Sequence, residues 1–147
     1  MSRAALLDVN VLVALFDPNH GHHEPAHSWF GANRGSGWAT CPLTENGLVR
    51  VLSNPSYPGA SERPSQILDR LKTFRASGNH VFWPDAVSLC DPRLFQLDVG
   101  LSHHQLTDVY LLGLAKQKSG RLATFDRNIP VASVLNITPE HLVVLPL

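Results

Sequence analysis

The sequence lacks the residues that stabilise small secreted proteins and the long apolar runs that cross membranes. Only two of its 147 residues are cysteines, Cys41 and Cys90, and they form no CxxC motif. A disulfide framework and a thiolate zinc site are therefore unexpected, and we predict two reduced, buried thiols. No apolar run approaches the roughly 20 residues of a bilayer-spanning helix. Asp8 and Asn10 interrupt the apolar N-terminal stretch and no cleavage site follows, so we expect a cytoplasmic protein with no membrane partner.

An excess of charge of either sign is also missing. The chain has 12 Lys and Arg and 12 Asp and Glu, which gives a formal net charge of zero. This balance excludes a broad cationic surface of the kind that drives non-specific nucleic-acid binding. Basic residues are nevertheless concentrated between Arg63 and Arg75. Overall charge therefore neither supports nor excludes a nucleic-acid substrate.

Strand and helix patterns alternate along nearly the whole chain. Apolar stretches predict strands at 4–7, 38–41, 80–83, 122–125 and 141–145, and periodic apolar spacing predicts helices at 11–16, 22–33, 42–52, 63–76 and 108–118. One or two short helices are also expected between 89 and 97, and Thr107 is the predicted N-cap of the last helix. We predict a single domain over residues 1–147, an α/β fold with three layers, α/β/α, around a mostly parallel central sheet.

Four acidic residues stand in strongly apolar surroundings, although only 16% of the chain is charged: Asp8 in ALLDVN, Glu45 in CPLTENGLV, Asp108 in QLTDVYLLGLA and Asp126 in RLATFDRN. An isolated carboxylate costs several kcal/mol to desolvate. Two of these acids are predicted at the carboxyl ends of strands and two in first helical turns, and such positions open onto one edge of a parallel sheet. No Lys or Arg alternates with them, so a hard divalent cation is the simplest relief of their repulsion.

Each of these acids also has a simpler explanation. An acid in a first helical turn is favoured by the helix dipole by about 0.3–1 kcal/mol, which would account for Glu45 or Asp108 alone. Asp is a common turn residue, which would account for Asp8 or Asp126 alone. The four together, without a paired base, favour the hypothesis that they converge.

The motifs LLDVNVLVAL, LTENGLVRVLSNP, SHHQLTDVYLLGLA and GRLATFD, with DPRLFQL before the third, resemble those of PIN-domain ribonucleases, specifically the VapC-type toxins of toxin–antitoxin pairs. The resemblance covers nearly the full chain. It implies that Asp8, Glu45, Asp108 and Asp126 are the catalytic acids. Asp8 and Asp108 are our first choices as ligands of Mg²⁺, for which Mn²⁺ would substitute, and Asp126 and Glu45 would complete the metal positions or act as base. The resemblance also implies a structured RNA substrate (tRNA or ribosomal RNA), a cognate VapB-type antitoxin and a homodimer.

Further polar residues match the motifs of this family. Asn10 and Thr124 correspond to positions that the family places beside the metal, and Thr44 and Thr107 directly precede acids. Hydrogen bonds from such groups orient carboxylates or water. Helix capping explains Thr44 and Thr107 equally well.

Three basic residues are candidates for contacts with RNA. Arg50 and Arg127 lie close to acidic motif positions, although a surface or ion-pair role is as good an explanation. His104 stands where many relatives have Arg, in the pair His103-His104. A cationic contact at this position would therefore be weaker or dependent on pH.

Three other functions fit parts of the sequence. His23 and His27 are spaced to bind zinc from one helix face, within the histidine-rich stretch NHGHHEPAH. A haloacid-dehalogenase-like phosphatase requires a second Asp two residues after the first, and Asn10 occupies that position. A non-catalytic PIN-like module that only binds RNA or an antitoxin remains open, because the sequence alone does not demonstrate turnover.

Overall fold

The central sheet is built from five short parallel strands. The computed structural model describes residues 3–59, 62–97 and 100–147. The strands are β1 (Ala5–Leu7), β2 (Trp38–Thr40), β3 (His80–Phe82), β4 (Arg121–Thr124) and β5 (Leu142–Val144). They are ordered β3-β2-β1-β4-β5, and every pairing between them is parallel. The prediction of a mostly parallel α/β sheet is confirmed.

Helices cover both faces of this sheet. They are α1 (Val9–Phe16), α2 (His23–Asn33), α3 (Pro42–Ser53), α4 (Pro64–Arg75) and α5 (Leu106–Gln117). Proline opens α3 and α4, where its missing N–H costs no hydrogen bond. Helices α1 to α4 contribute to one hydrophobic cluster, whereas α5 and part of the 83–95 segment belong to a second. The three-layer prediction is therefore confirmed.

Successive side chains of a strand point to opposite faces of the sheet, so the core is divided between these two helical layers. Leu7 and Trp38 face the cluster formed by α1 to α4, while Leu6 and Leu122 face the cluster on α5. All four side chains are at most 1% exposed. Strands buried on both faces are apolar throughout, which is why each appears in the sequence as a short continuous apolar run.

Close packing of α3 against α1 depends on Gly47. A Cβ atom at this position would lie 2.6 Å from Cγ2 of Val9 in α1. Real Cβ atoms essentially never approach so closely, so only glycine lets the two helices take this separation. The contact joins the helix that follows β1 to the helix that follows β2.

Two local predictions are wrong. Residues 91–95 form one turn, in which the Phe95 N–H donates to Asp91 O at 3.0 Å, rather than a short helix. The Phe95 ring instead packs on α5 at Gly113, and that tertiary contact overrides the local apolar spacing. Helix α5 begins at Leu106, after a 3₁₀ turn over His103–Gln105, so Thr107 lies inside its first turn and is not its cap.

The cysteine prediction is half right. Cys41 is buried and reduced, whereas Cys90 is exposed because it lies in an irregular loop before the turn at 91–95. Over the ranges the structure describes, no helix has both the length and the apolar character needed to cross a membrane.

Candidate active site

Three aspartates meet at the carboxyl ends of the two central strands. Asp8 directly follows β1, and its backbone N–H donates to Ala123 O in β4 at 3.0 Å. Asp126 lies two residues after β4, and Asp108 lies in the first turn of α5. The negative charges of Asp8 and Asp126 both raise the pKa of Asp108, which places the three carboxyls in one electrostatic group. We call Asp8, Asp108 and Asp126 the aspartate pocket.

Asp8 is the most deeply buried member, with 5% of its surface exposed. Its Oδ1 accepts a hydrogen bond from the Val9 N–H at 2.7 Å, which caps α1, and its Oδ2 accepts from the Thr124 hydroxyl at 2.8 Å. Burial raises the pKa of the Asp8 carboxyl and the charge of Asp126 adds to this, while the two hydrogen bonds act in the opposite direction. Hydrogen bonds to both carboxylate oxygens thus fix the orientation of Asp8 without a ligand.

The pKa of Asp108 is strongly raised. Burial raises this pKa to about 7, and repulsion from Asp8, a hydrogen bond to Asp126 and the charge of Asp126 act in the same direction. Near neutral pH a substantial fraction of Asp108 is therefore protonated. Oδ1 of Asp126 also accepts from the Asn128 N–H at 2.8 Å, which fixes the turn after β4.

The Thr124 hydroxyl is the centre of a small hydrogen-bond network. It donates to Asp8 and accepts from the Asn10 amide at 3.2 Å and from the Asp126 N–H at 3.0 Å. The Asn10 carbonyl oxygen in turn accepts from the Phe125 N–H at 3.2 Å. Asn10 and Thr124 therefore hold the ends of β1 and β4 together and orient two of the three aspartates.

Glu45 lies at the same edge of the sheet but has partners of its own. Its Oε2 accepts a hydrogen bond from the Thr40 hydroxyl at 2.6 Å, and Nη1 of Arg75 lies 3.1 Å from the same oxygen. Arg75 belongs to α4, 30 residues further along the chain. The expectation that all four acids lack a basic partner is therefore wrong for Glu45, because the fold supplies one from a distant helix.

The remaining polar candidates have simpler surroundings. The buried Thr44 hydroxyl accepts from the Cys41 N–H at 3.0 Å and donates to Cys41 O at 3.1 Å, so it caps α3. Thr107 is exposed on the first turn of α5. Thr44 thus fulfils the capping alternative, and Thr107 neither caps its helix nor is buried in the pocket.

The three basic candidates, Arg50, Arg127 and His104, are all exposed. Arg127 directly follows Asp126, and the His104 ring packs on His103 with 3.8 Å between ring centroids. Exposure leaves all three accessible to a polyanion. Contact of these residues with RNA stays a prediction.

The histidine-rich stretch serves the fold in ways that do not require zinc. Nδ1 of His23 lies 2.8 Å from Ala14 O, and Nδ1 of His20 accepts from the His22 N–H at 3.0 Å. The rings of His23 and His27 are 5.7 Å apart. With His23 bound to a backbone carbonyl, a hydrogen-bonding role accounts for its place on α2.

The donor chemistry of the aspartate pocket fits a hard cation, although its side chains do not form a completed ligand set. Within residues 3–59, 62–97 and 100–147, no three His, Cys, Asp or Glu side chains are grouped closely enough to hold a metal ion. Carboxylate oxygens are the ligands that Mg²⁺ prefers, and the ion pairs in these ranges involve Glu62, Glu45 and Asp91 rather than the pocket. A cation bound at the pocket would relieve the mutual repulsion of these carboxyls.

The sequence motifs around the four acids do not mark Thr40, Arg75 or His80 as part of the site. His80 Nε2 lies 2.8 Å from the Thr40 hydroxyl, which itself contacts Glu45. The one local signal was the polar Thr40 at the end of an otherwise apolar strand. Arg75 and His80 join the site only through tertiary folding.

Comparison with known proteins places the chain beside three ribonucleases of Mycobacterium tuberculosis. Ribonuclease VapC44 is 41% identical over 141 residues, which cover 96% of this chain and 99% of the relative. Ribonuclease VapC39 is 44% identical over 122 residues, 83% of this chain and 88% of the relative. Ribonuclease VapC38 is 46% identical over 125 residues, 85% of this chain and 86% of the relative. No family model matches the chain.

Proposed function

This chain belongs to the VapC ribonucleases, toxins with a PIN-domain fold, and from that premise we propose that it is an endoribonuclease that hydrolyses RNA with the help of a divalent cation. The observation that carries the proposal is the aspartate pocket at the carboxyl edge of a parallel sheet, in which the charges of Asp8 and Asp126 both add to burial in raising the pKa of Asp108. Ligands of open α/β sheets bind at that edge.

Asp8, Asp108 and Asp126 would hold Mg²⁺, or Mn²⁺ in its place, through their carboxylate oxygens. Bound there, the ion would neutralise charge on a phosphodiester and activate water for its hydrolysis. The protonated fraction of Asp108 would release its proton when the cation enters. Thr124 and Asn10 keep Asp8 oriented, so its oxygens need no reorganisation on binding.

A structured RNA, such as tRNA or ribosomal RNA, is the proposed substrate. The relatives carry the word ribonuclease in their names, which supports RNA over other phosphodiesters. The exposed side chains of Arg127 and His104 would contact its phosphates beside the pocket. Arg50, near the end of α3, is a more distant candidate.

A VapB-type antitoxin is the proposed protein partner. The chain has an apolar groove of about 620 Å³ between α1, α2 and α4, lined by Leu15, Phe30 and Phe74 among others. Arg34 and Asp69 lie at the same groove and would add polar contacts. A groove of this composition suits an amphipathic segment of a partner. The homodimer implied by the motifs stays a prediction.

Cleavage of purified RNA tests the proposed enzyme activity. Wild-type protein is expected to cut total tRNA or ribosomal RNA at discrete positions with Mg²⁺ present and to stop when EDTA is added. Asp8→Asn and Asp126→Asn should each reduce the rate by at least about 100-fold, since each removes a charged ligand. Asp69→Asn, at an exposed position on α4, is the matched control and should cut like wild type.

Sequencing of RNA 5′ ends identifies the cut sites in the same samples. Equal cleavage by wild type and Asp8→Asn would exclude the aspartate pocket as the catalytic site. RNA binding by wild type without any cleavage would identify a binding module rather than a nuclease.

A further inference from the structure

Beside the aspartate pocket, a chain of polar contacts from three different elements ends on Glu45. His80 at the start of β3 contacts Thr40 at the end of β2, and Thr40 contacts Glu45 in α3. Arg75, the last residue of α4, lies 3.1 Å from Oε2 and 3.5 Å from Oε1 of the same carboxylate. Glu45 is 19% exposed at its side chain, so this arrangement lies partly within the protein.

We call the contacts that run from His80 through Thr40 to Glu45 the relay. Counting protons shows which group donates and which accepts at each contact of the relay. A hydroxyl has one proton, and Thr40 donates it to Glu45 because a carboxylate only accepts. The Thr40 oxygen must then accept from His80, which requires the proton of the imidazole to reside on Nε2. Burial and the nearby Arg75 lower the pKa of His80 to about 4, so the ring is neutral at physiological pH and has one defined tautomer.

Arg75 is itself fixed from the opposite side. Its guanidinium carbon lies 5.2 Å from the centre of the Phe82 ring, a cation–π contact, and Phe82 is the last residue of β3. Phe82 pairs in register with Thr40. The guanidinium therefore lies between Phe82 and Glu45, and both partners of Glu45 are anchored to the β2–β3 pair.

Glu45, in the first turn of α3, lies at the same edge of the sheet as the aspartate pocket. Leu6 of β1 pairs with Ala39 of β2, so the end of β2 at Thr40 lies beside Leu7, and Asp8 follows at the same edge. Neighbouring strands are about 4.8 Å apart. A carboxylate held on two sides at this edge, by the Thr40 hydroxyl and the Arg75 guanidinium, is suited to orient water or substrate for cleavage.

We infer that Thr40, His80 and Arg75 are positioning residues for the cleavage reaction, and that they act by holding the Glu45 carboxylate in one orientation beside the aspartate pocket. The inference rests on the proposed ribonuclease function. It assigns roles to three residues that touch neither the pocket carboxyls nor, on this account, the RNA.

Matched substitutions test each contact through steady-state cleavage with Mg²⁺. Thr40→Val and His80→Leu should lower kcat about 10- to 100-fold with KM little changed, because only the orientation of Glu45 is lost. Thr40→Ser keeps the hydroxyl and should recover most of the rate. His80→Gln should recover most of it as well, since the glutamine amide places an N–H near the position of Nε2.

Arg75 requires a test that separates three roles. As a positioning residue, Arg75→Met lowers kcat about tenfold, leaves KM unchanged, and is partly rescued by Arg75→Lys. A raised KM with a weaker salt dependence would identify a phosphate contact with RNA, and a raised kcat would identify an inhibitory ion pair. Either of the last two results overturns the positioning role of Arg75.

A double-mutant cycle tests whether these residues act through Glu45. In a Glu45→Gln background, Thr40→Val and His80→Leu should cause less than about a threefold further loss, whereas independent contributions would multiply. Multiplicative losses overturn the inference. Melting temperatures of all variants identify those that fail to fold. Where Thr40→Val or His80→Leu fails to fold, the cleavage rates of Thr40→Ser and His80→Gln relative to wild type test the inference instead.

A measurement on metal-free protein provides a readout that does not depend on activity. Two-bond ¹H–¹⁵N NMR spectra should show the Nε2–H tautomer of His80 in wild type and in Asp8→Asn, and a mixture of tautomers in Thr40→Val. An Nδ1–H tautomer in wild type overturns the relay. An inactive wild-type protein would refute the proposed function alone, while an active one that tolerates His80→Leu would refute the relay alone.

Discussion

At the scale of single residues, the site depends on how each carboxyl loses its hydration. Asp8 is buried but receives two hydrogen bonds, the half-buried Asp108 has its pKa raised to about 7 beside Asp8 and Asp126, and Glu45 is paired with a guanidinium. Four acids with similar apolar surroundings in the sequence thus reach three different states. Only the first two states leave negative charge that a cation can neutralise.

The raised pKa of Asp108 predicts how the stability of metal-free protein depends on pH. Its ordinary value is 3.8 and its folded value is about 7. Between these values the folded chain binds more protons, so its contribution to stability is complete below pH 4 and is lost as pH rises through 7. Between pH 5 and pH 8, the free energy of unfolding of wild type should fall by about 1–2 kcal/mol relative to that of Asp108→Asn, less than the full shift implies because solvent screens this half-buried carboxyl; urea unfolding in EDTA measures the difference.

The same linkage predicts a larger effect of Mg²⁺ at higher pH. Deprotonated pocket carboxyls bind a cation better, so Mg²⁺ should raise the melting temperature of wild type more at pH 8 than at pH 6. Asp69→Asn serves as the control for a surface carboxylate. If the free energy of unfolding of metal-free protein depended equally on pH in wild type and Asp108→Asn, the burial of the Asp108 carboxyl would be contradicted.

At the scale of secondary-structure elements, the strand ends are held in place by helix packing. The contact of Gly47 with Val9 sets the distance between α3, which carries Glu45, and α1, which is capped by Asp8. One added methyl group at this contact would shift Glu45 relative to Asp8.

Gly47→Ala tests this packing. The added Cβ would lie 2.6 Å from Val9 Cγ2, so we expect a loss of about 1–3 kcal/mol in the free energy of unfolding. Val9→Ala should restore part of that loss in the double variant. Gly31→Ala is the matched control, because nothing lies within 4 Å of a Cβ at that position on α2. Its stability should be unchanged or higher by up to about 1 kcal/mol, and equal losses at both glycines would refute the packing role of Gly47.

Most elements could be predicted because their signals are local. The buried strands are continuous apolar runs, and prolines mark the starts of α3 and α4, so the observed bounds lie within two residues of the predicted ones. The segment 89–97 could not be predicted in the same way. Its apolar residues pack on α5 rather than along a helix of their own, and that contact joins positions distant in the chain.

The candidate site shows the same contrast between residues marked by local signals and residues brought in by tertiary contacts. Asp8, Asp108 and Asp126 follow strand ends or open a helix, and the rule for parallel sheets brings such positions together. Asn10 and Thr124 could be identified from motifs beside those acids. The partners of Glu45 come from β2 and α4, and His80 of β3 reaches it only through Thr40, so no local pattern connects Arg75 or His80 to an acid.

At the scale of the whole molecule, a chain of zero net charge concentrates negative charge at one edge of its sheet. The apolar groove between α1, α2 and α4 is a separate surface, lined by residues such as Leu15 and Phe74. Under the proposed function, this separation would let one chain present a hydrolytic pocket to RNA and an apolar surface to a protein partner.

The central claim is that Asp8, Asp108 and Asp126 together bind one divalent cation. The most direct test is a crystal of the protein soaked in Mn²⁺, with anomalous diffraction recorded at the manganese edge. The account predicts a strong anomalous peak within about 2.5 Å of oxygens from these three side chains, with the peak lost in Asp8→Asn. An ordered pocket without a peak at high Mn²⁺, or a peak at His23 and His27 instead, would contradict it.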